Sequence, residues 1–144
     1  MKLRKRIFSE DYGMKMKEKE AGLRRLPDAE LAVMRALWDC EAPAGRAAME
    51  EKLGESHPMA PTTLLTLLSR LADKGFVQIE KQGRQSVYAP LVSRQDYLAA
   101  ESRSFVTRLC GGSVSDLAAA LSGGGLTKEE LRELRQLLER MDGE

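Results

Sequence analysis

The stretch APTTLLTLLSRLADKG, Ala60 to Gly75, decides how the rest of the chain is read. Pro61 suits the first turn of a helix, where a missing N–H costs nothing, and Gly75 suits the cap that ends it. At about 100° per residue, Leu64, Leu65, Leu68, Leu71 and Ala72 fall on one side of such a helix. Thr62, Thr63, Thr66, Ser69, Arg70, Asp73 and Lys74 fall on the other. The next residues change period: Phe76-Val77-Gln78-Ile79-Glu80 reads as a strand, Gln82-Gly83 as a tight turn with Arg84 beside it, and Gln85-Ser86-Val87-Tyr88 as the returning strand, stopped by Pro90.

Two helices are expected upstream. Asp28, after Leu26-Pro27, can cap the first, and the run ALAVMRALW supplies its apolar face as far as Asp39. Cys40 to Gly45 reads as a connection, after which Ala47, Ala48, Met49 and Leu53 suggest a short second helix ended by Gly54. Downstream, Ser93 with Asp96, Ser113 with Asp116, and Thr127 with Glu130 each mark a helix start, the last as a capping box. The final helix carries Leu131, Leu134, Leu138 and Met141 on one stripe, which needs a partner. Residues 1–25 alternate charge and small residues and read as a mobile arm.

Composition excludes several classes. At 144 residues, 42% hydrophobic and only 5% aromatic, the core must be built from aliphatic residues, which favours helix. No apolar run approaches the roughly 20 residues of a membrane span, and no hydrophobic stretch follows the basic N-terminus, so a cytoplasmic protein is expected. Cys40, Cys110 and the single His57 form no metal-ligand pattern, and neither a metal nor a cofactor is expected. No phosphate loop or paired nucleophile points to an enzyme. The net charge is +1, with nine basic against four acidic residues in 1–25, seven against nine in 26–92, and seven against nine in 93–144. Within 57–92, however, Arg70, Lys74, Lys81 and Arg84 face only Asp73 and Glu80, a modest local basic surface.

Three short helices followed by a hairpin is the winged helix-turn-helix arrangement, in which the third helix enters the major groove of DNA and the hairpin lies along neighbouring backbone. Threonine hydroxyls donate and accept, and their methyls pack on thymine methyls, so Thr62, Thr63 and Thr66 can both position and read. Arg70 and Lys74 are placed for phosphates, and Lys81 with Arg84 arms the tip of the wing.

The order LPDAELAVMRALW, PTTLLTLLSRLADKGFV and QGRQSVYAPLVSR resembles the penicillinase repressor family, also called the BlaI/MecI family, over residues 26 to 140. That resemblance implies a mainly α chain with a small β-hairpin: a winged helix-turn-helix domain at 26–92 followed by a helical dimerisation region at 93–144. It implies a dimeric repressor on a palindromic, double-stranded operator, with Thr62, Thr63 and Thr66 at base-reading positions, Arg70 at a phosphate and Arg84 on the wing. The family often has lysine where Thr62 stands, so a changed base preference is expected. The segment Ser93 to Cys110 resembles the family's dimerisation helix, and Leu98, Phe105, Leu109, Leu131, Leu134 and Leu138 are expected to pair the subunits. Members of the family are cut by a membrane sensor-linked protease just before a phenylalanine, a place Phe105 fits; residue 104 is Ser rather than the asparagine of cleaved members, which counts against cleavage. The chain lacks the C-terminal cysteine cluster of copper-responsive relatives. Two other readings stay open: a winged-helix regulator released by a small-molecule ligand, and a winged-helix module for protein contacts.

Overall fold

The computed structural model describes residues 25–143, so the expected N-terminal arm lies almost wholly outside the described residues. The chain forms α1 (Asp28–Trp38), α2 (Arg46–Leu53), α3 (Pro61–Asp73), β1 (Val77–Gln82), β2 (Gln85–Pro90), α4 (Arg94–Leu109), α5 (Val114–Ala120) and α6 (Lys128–Asp142), with a short π-type turn at Leu121–Gly125 before α6. The mainly helical winged-helix architecture read from the sequence is the one observed.

One core serves the first five elements. Val33, Met34, Ala36 and Leu37 of α1, Met49 and Leu53 of α2, and Leu64, Leu67, Leu68 and Leu71 of α3 are buried together with Phe76, Val77 and Tyr88. Each buried leucine contributes about 2 kcal/mol of transfer free energy, so α3 is held by packing rather than by its threonine-rich propensity. Two details differ from expectation. Leu67, not Leu65, completes the buried face of α3; Leu65 is 40% exposed. The apolar stripe runs i, i+3, i+4, i+7 through Leu64, Leu67, Leu68 and Leu71, and its centre leaves Leu65 beyond the edge. At α1 the N-cap is Pro27, with no side-chain cap, and Asp28 is an acidic residue inside the first turn, favourable to the helix dipole.

The hairpin is antiparallel, with Val77 opposite Pro90 and Gln82 opposite Gln85. Gly83, at φ 63°, and Arg84 form its two-residue turn; positive φ at the first position alone is the type II′ pattern that matches strand twist. Both strands run two residues further than the side-chain pattern suggested. Ala44 adds a bridge to the hairpin, its N–H donating to Tyr88 O at 2.9 Å and its carbonyl accepting from Tyr88 N at 2.8 Å.

Aromatic residues are few and clustered. Tyr97 of α4 packs edge-on to Phe76 and tilted against Trp38, both with ring centroids 5.9 Å away. Its hydroxyl accepts from Leu26 N at 2.9 Å, and burial pushes its ionisation up. The Trp38 indole N–H donates to Val92 O at 2.8 Å. These contacts draw the first turns of α4 into the first compact unit, which runs to Glu101.

The second unit, from Ser102 onward, is built differently. Ser113 Oγ caps α5 by accepting from Asp116 N at 3.0 Å, and Thr127 with Glu130 forms the complete capping box of α6. Yet no residue from Ser102 to Gly143 is buried.

Candidate nucleic-acid interface

The packing of α3 turns Thr62, Thr63, Thr66, Ser69 and Arg70 to solvent. Four of the expected readers come together: Thr62, Thr63, Thr66 and Arg70 line, with Leu67, a shallow depression of about 250 Å³. Thr66 Oγ1 donates to Thr62 O at 2.9 Å, which commits its proton to the helix backbone. Its lone pairs remain, so toward a base edge Thr66 accepts, as from an adenine or cytosine amino group.

Lys74 stands elsewhere. Its Nζ lies 2.6 Å from Glu30 Oε1, and the Glu30 side chain is only 5% exposed against 27% for Lys74. A buried carboxylate needs this partner. The lysine assigned to a phosphate from its place on the helical wheel thus ties the C-terminal end of α3 to α1. Arg70, by contrast, is exposed, and among the described residues no ion pair engages it.

At the wing, Lys81 and Arg84 are exposed, Arg84 as the second residue of the turn itself, where a side chain reaches furthest from the sheet. The start of α2 was not singled out from the sequence. Gly45 caps it without a side-chain hydrogen bond, and the first turn holds no acid, so its free N–H groups carry positive potential toward solvent. The signal was present as a glycine where Ser, Thr, Asp or Asn would usually stand.

The residues expected to pair subunits are also on the surface. Leu98 is 53% exposed, Phe105 42%, Leu109 64% and Leu138 54%, while Leu131 and Leu134 are half-buried. Ser104 is half-buried beside Phe105. Among the described residues no cluster of His, Cys, Asp and Glu could hold a metal ion. No described helix is long and apolar enough to cross a membrane.

The sequence profile of the penicillinase repressor family matches residues 26–140, from the entry to α1 almost to the end of α6. The chain belongs to that family. Within the penicillinase repressors it is 34% identical over 116 residues to the penicillinase repressor of Bacillus licheniformis, covering 80% of this chain and 90% of that protein. It is 27% identical over 114 residues to the methicillin resistance regulatory protein MecI of Staphylococcus aureus, covering 78% and 92%. Among solved structures, the B. licheniformis BlaI monomeric form in complex with the blaP half-operator is 32% identical, covers 52% of this chain and 90% of its own, and superposes with a TM-score of 0.43. These family members are regulators of transcription, not enzymes.

Proposed function

We propose that this chain is a dimeric transcriptional repressor that reads a palindromic operator with α3 and hides a promoter by occupying it. The observation that carries the reading is the exposed Thr62, Thr63, Thr66 and Arg70 face of α3, set beside a wing tip bearing Lys81 and Arg84, in a member of the penicillinase repressor family. Thr63 and Thr62 read bases, Thr66 accepts from one, and Arg70, Lys81 and Arg84 engage phosphates.

The second unit supports dimerisation. A segment with capped helices, exposed leucines and no buried residue has the elements of a fold without a core, and a second copy supplies the missing half. Two linked readers then bind by effective concentration, each taking a half-site about one helical turn, or a multiple of one, from the other. In this assembly Phe105 is a dimer-core aromatic, and Ser104 in place of asparagine counts against cleavage there by a sensor protease. The repressor works in the cytoplasm, where its DNA is.

The test is a gel shift of the full chain on the DNA upstream of its own gene, in rising salt. Specific retardation that survives excess random duplex is expected. Absence of any shift at low salt would favour a role in protein contacts instead.

A further inference from the structure

Leu65 is the large apolar side chain of α3 that the core does not take. At 40% exposure it lies on the solvent side between Thr62, one turn before it, and Ser69, one turn after, both exposed. It does not face open water alone. With Gly45 and Arg46 at the start of α2, and Gln85, Ser86 and Tyr88 of β2, it borders a groove of about 380 Å³. Leu65 gives this lining an exposed apolar side chain next to polar and cationic ones. Arg46, half exposed and 3.7 Å from Glu50, comes from the start of α2, and Gln85 and Ser86 come from β2, which the Ala44–Tyr88 bridge holds next to it.

Resting on the repressor reading above, we infer that Leu65 is a specificity-determining residue that packs on the C5-methyl of a thymine in the operator major groove. The chemistry is matched at both scales. Arg46, the first amides of α2, Gln85 and Ser86 suit phosphate oxygens, and the apolar Leu65 near them suits the one apolar feature a major groove displays. A polar base edge at the same place would lose its water against Leu65 without gaining a hydrogen bond, so the position discriminates for thymine by exclusion as well as contact. Thr63 lies across the helix from Leu65, two residues away at about 100° each, so these two side chains address different base pairs.

Substituting deoxyuridine for thymine deletes that methyl and nothing else. The full chain is used to select a binding sequence from a random duplex library, and each thymine of the recovered site is then replaced singly by deoxyuridine. At one position per half-site the wild-type chain should bind about fourfold more weakly, the loss of one buried methyl. Leu65→Ala should bind the thymine and uracil duplexes equally there, while Thr63→Val keeps the discrimination. Leu65→Gln should also erase it, and unfolding curves should show both variants folded at the temperature of the binding assay. A recovered sequence in which no thymine methyl matters, or a discrimination that persists in Leu65→Ala, overturns the assignment of Leu65 alone. A chain that selects no sequence overturns the repressor reading, and this inference with it.

Discussion

Replacing Lys74 by Met should destabilise the winged-helix unit far more than replacing Glu30 by Gln, although the two changes break the same contact. The pair is asymmetric: the Glu30 side chain is 5% exposed and that of Lys74 27%, with 2.6 Å between Nζ and Oε1. Without Lys74 the buried Glu30 carboxyl loses its ion-pair partner at Oε1. Removing one member of a fully buried pair costs about 3–5 kcal/mol, and the partial exposure of Lys74 discounts this to about 2–3 kcal/mol. Without the Glu30 charge, the Lys74 amine moves toward water and the Gln amide still accepts from it, so Glu30→Gln should cost less than about 1 kcal/mol. For a domain of this size, the Lys74→Met loss corresponds to a fall in Tm of roughly 10–20 °C. Urea unfolding followed by circular dichroism, at fixed protomer concentration and with unchanged slope, reads both values. The double variant Glu30→Leu/Lys74→Met should recover most of the loss. Equal costs for the two single variants, or a Lys74→Met cost below about 0.5 kcal/mol, would refute the argument. Affinity provides a second check: folded Lys74→Met should keep the wild-type salt dependence of DNA binding, and a slope reduced by about 1 would make Lys74 a phosphate contact after all.

Three further outcomes are expected. Arg70→Ala should weaken binding to all duplexes alike and reduce the salt slope by about 1, whereas Thr63→Val should weaken only the cognate site, by about 1 kcal/mol, in fluorescence anisotropy on cognate and random DNA. Phe105→Glu, placing a charge on an exposed apolar position of α4, should shift the chain toward monomer in analytical ultracentrifugation while leaving the unfolding of the first unit unchanged. Because burial raises the ionisation of Tyr97 above that of an unfolded tyrosine, its contribution is fully present below about pH 10 and is lost as pH rises through the native value; the excess alkaline loss of wild type over Tyr97→Phe measures it.

Local chemistry was legible in the sequence. Pro61 and Gly75 bracket α3, the Thr127–Glu130 box starts α6, and Gly83 turns the hairpin, because each depends on residues within one turn. What depended on distant partners was not. Leu65 and Leu67 flank the same apolar arc, and the run of five leucines hides that the i, i+3, i+4, i+7 stripe takes Leu67 into the core and leaves Leu65 out. Glu30 looked like an ordinary first-turn acid; its partner lies 44 residues away. The pairing of Ala44 with Tyr88 has no signature in a connection marked only by Pro43 and Gly45. Tyr97 serves the core through its ring, a role that periodicity within α4 does not announce.

The two sides of α3 answer to different constraints. Leu64, Leu67, Leu68 and Leu71 hold the helix in the core, and Thr62, Thr63, Thr66 and Ser69 lie exposed on the outer side. A change of codon on the outer side therefore leaves stability nearly untouched, within the roughly 0.5 kcal/mol of ordinary surface substitutions. Such a helix lets a lineage drift from one operator to another through intermediates that all remain folded, so divergence of targets within a genome is limited by the DNA and not by the protein.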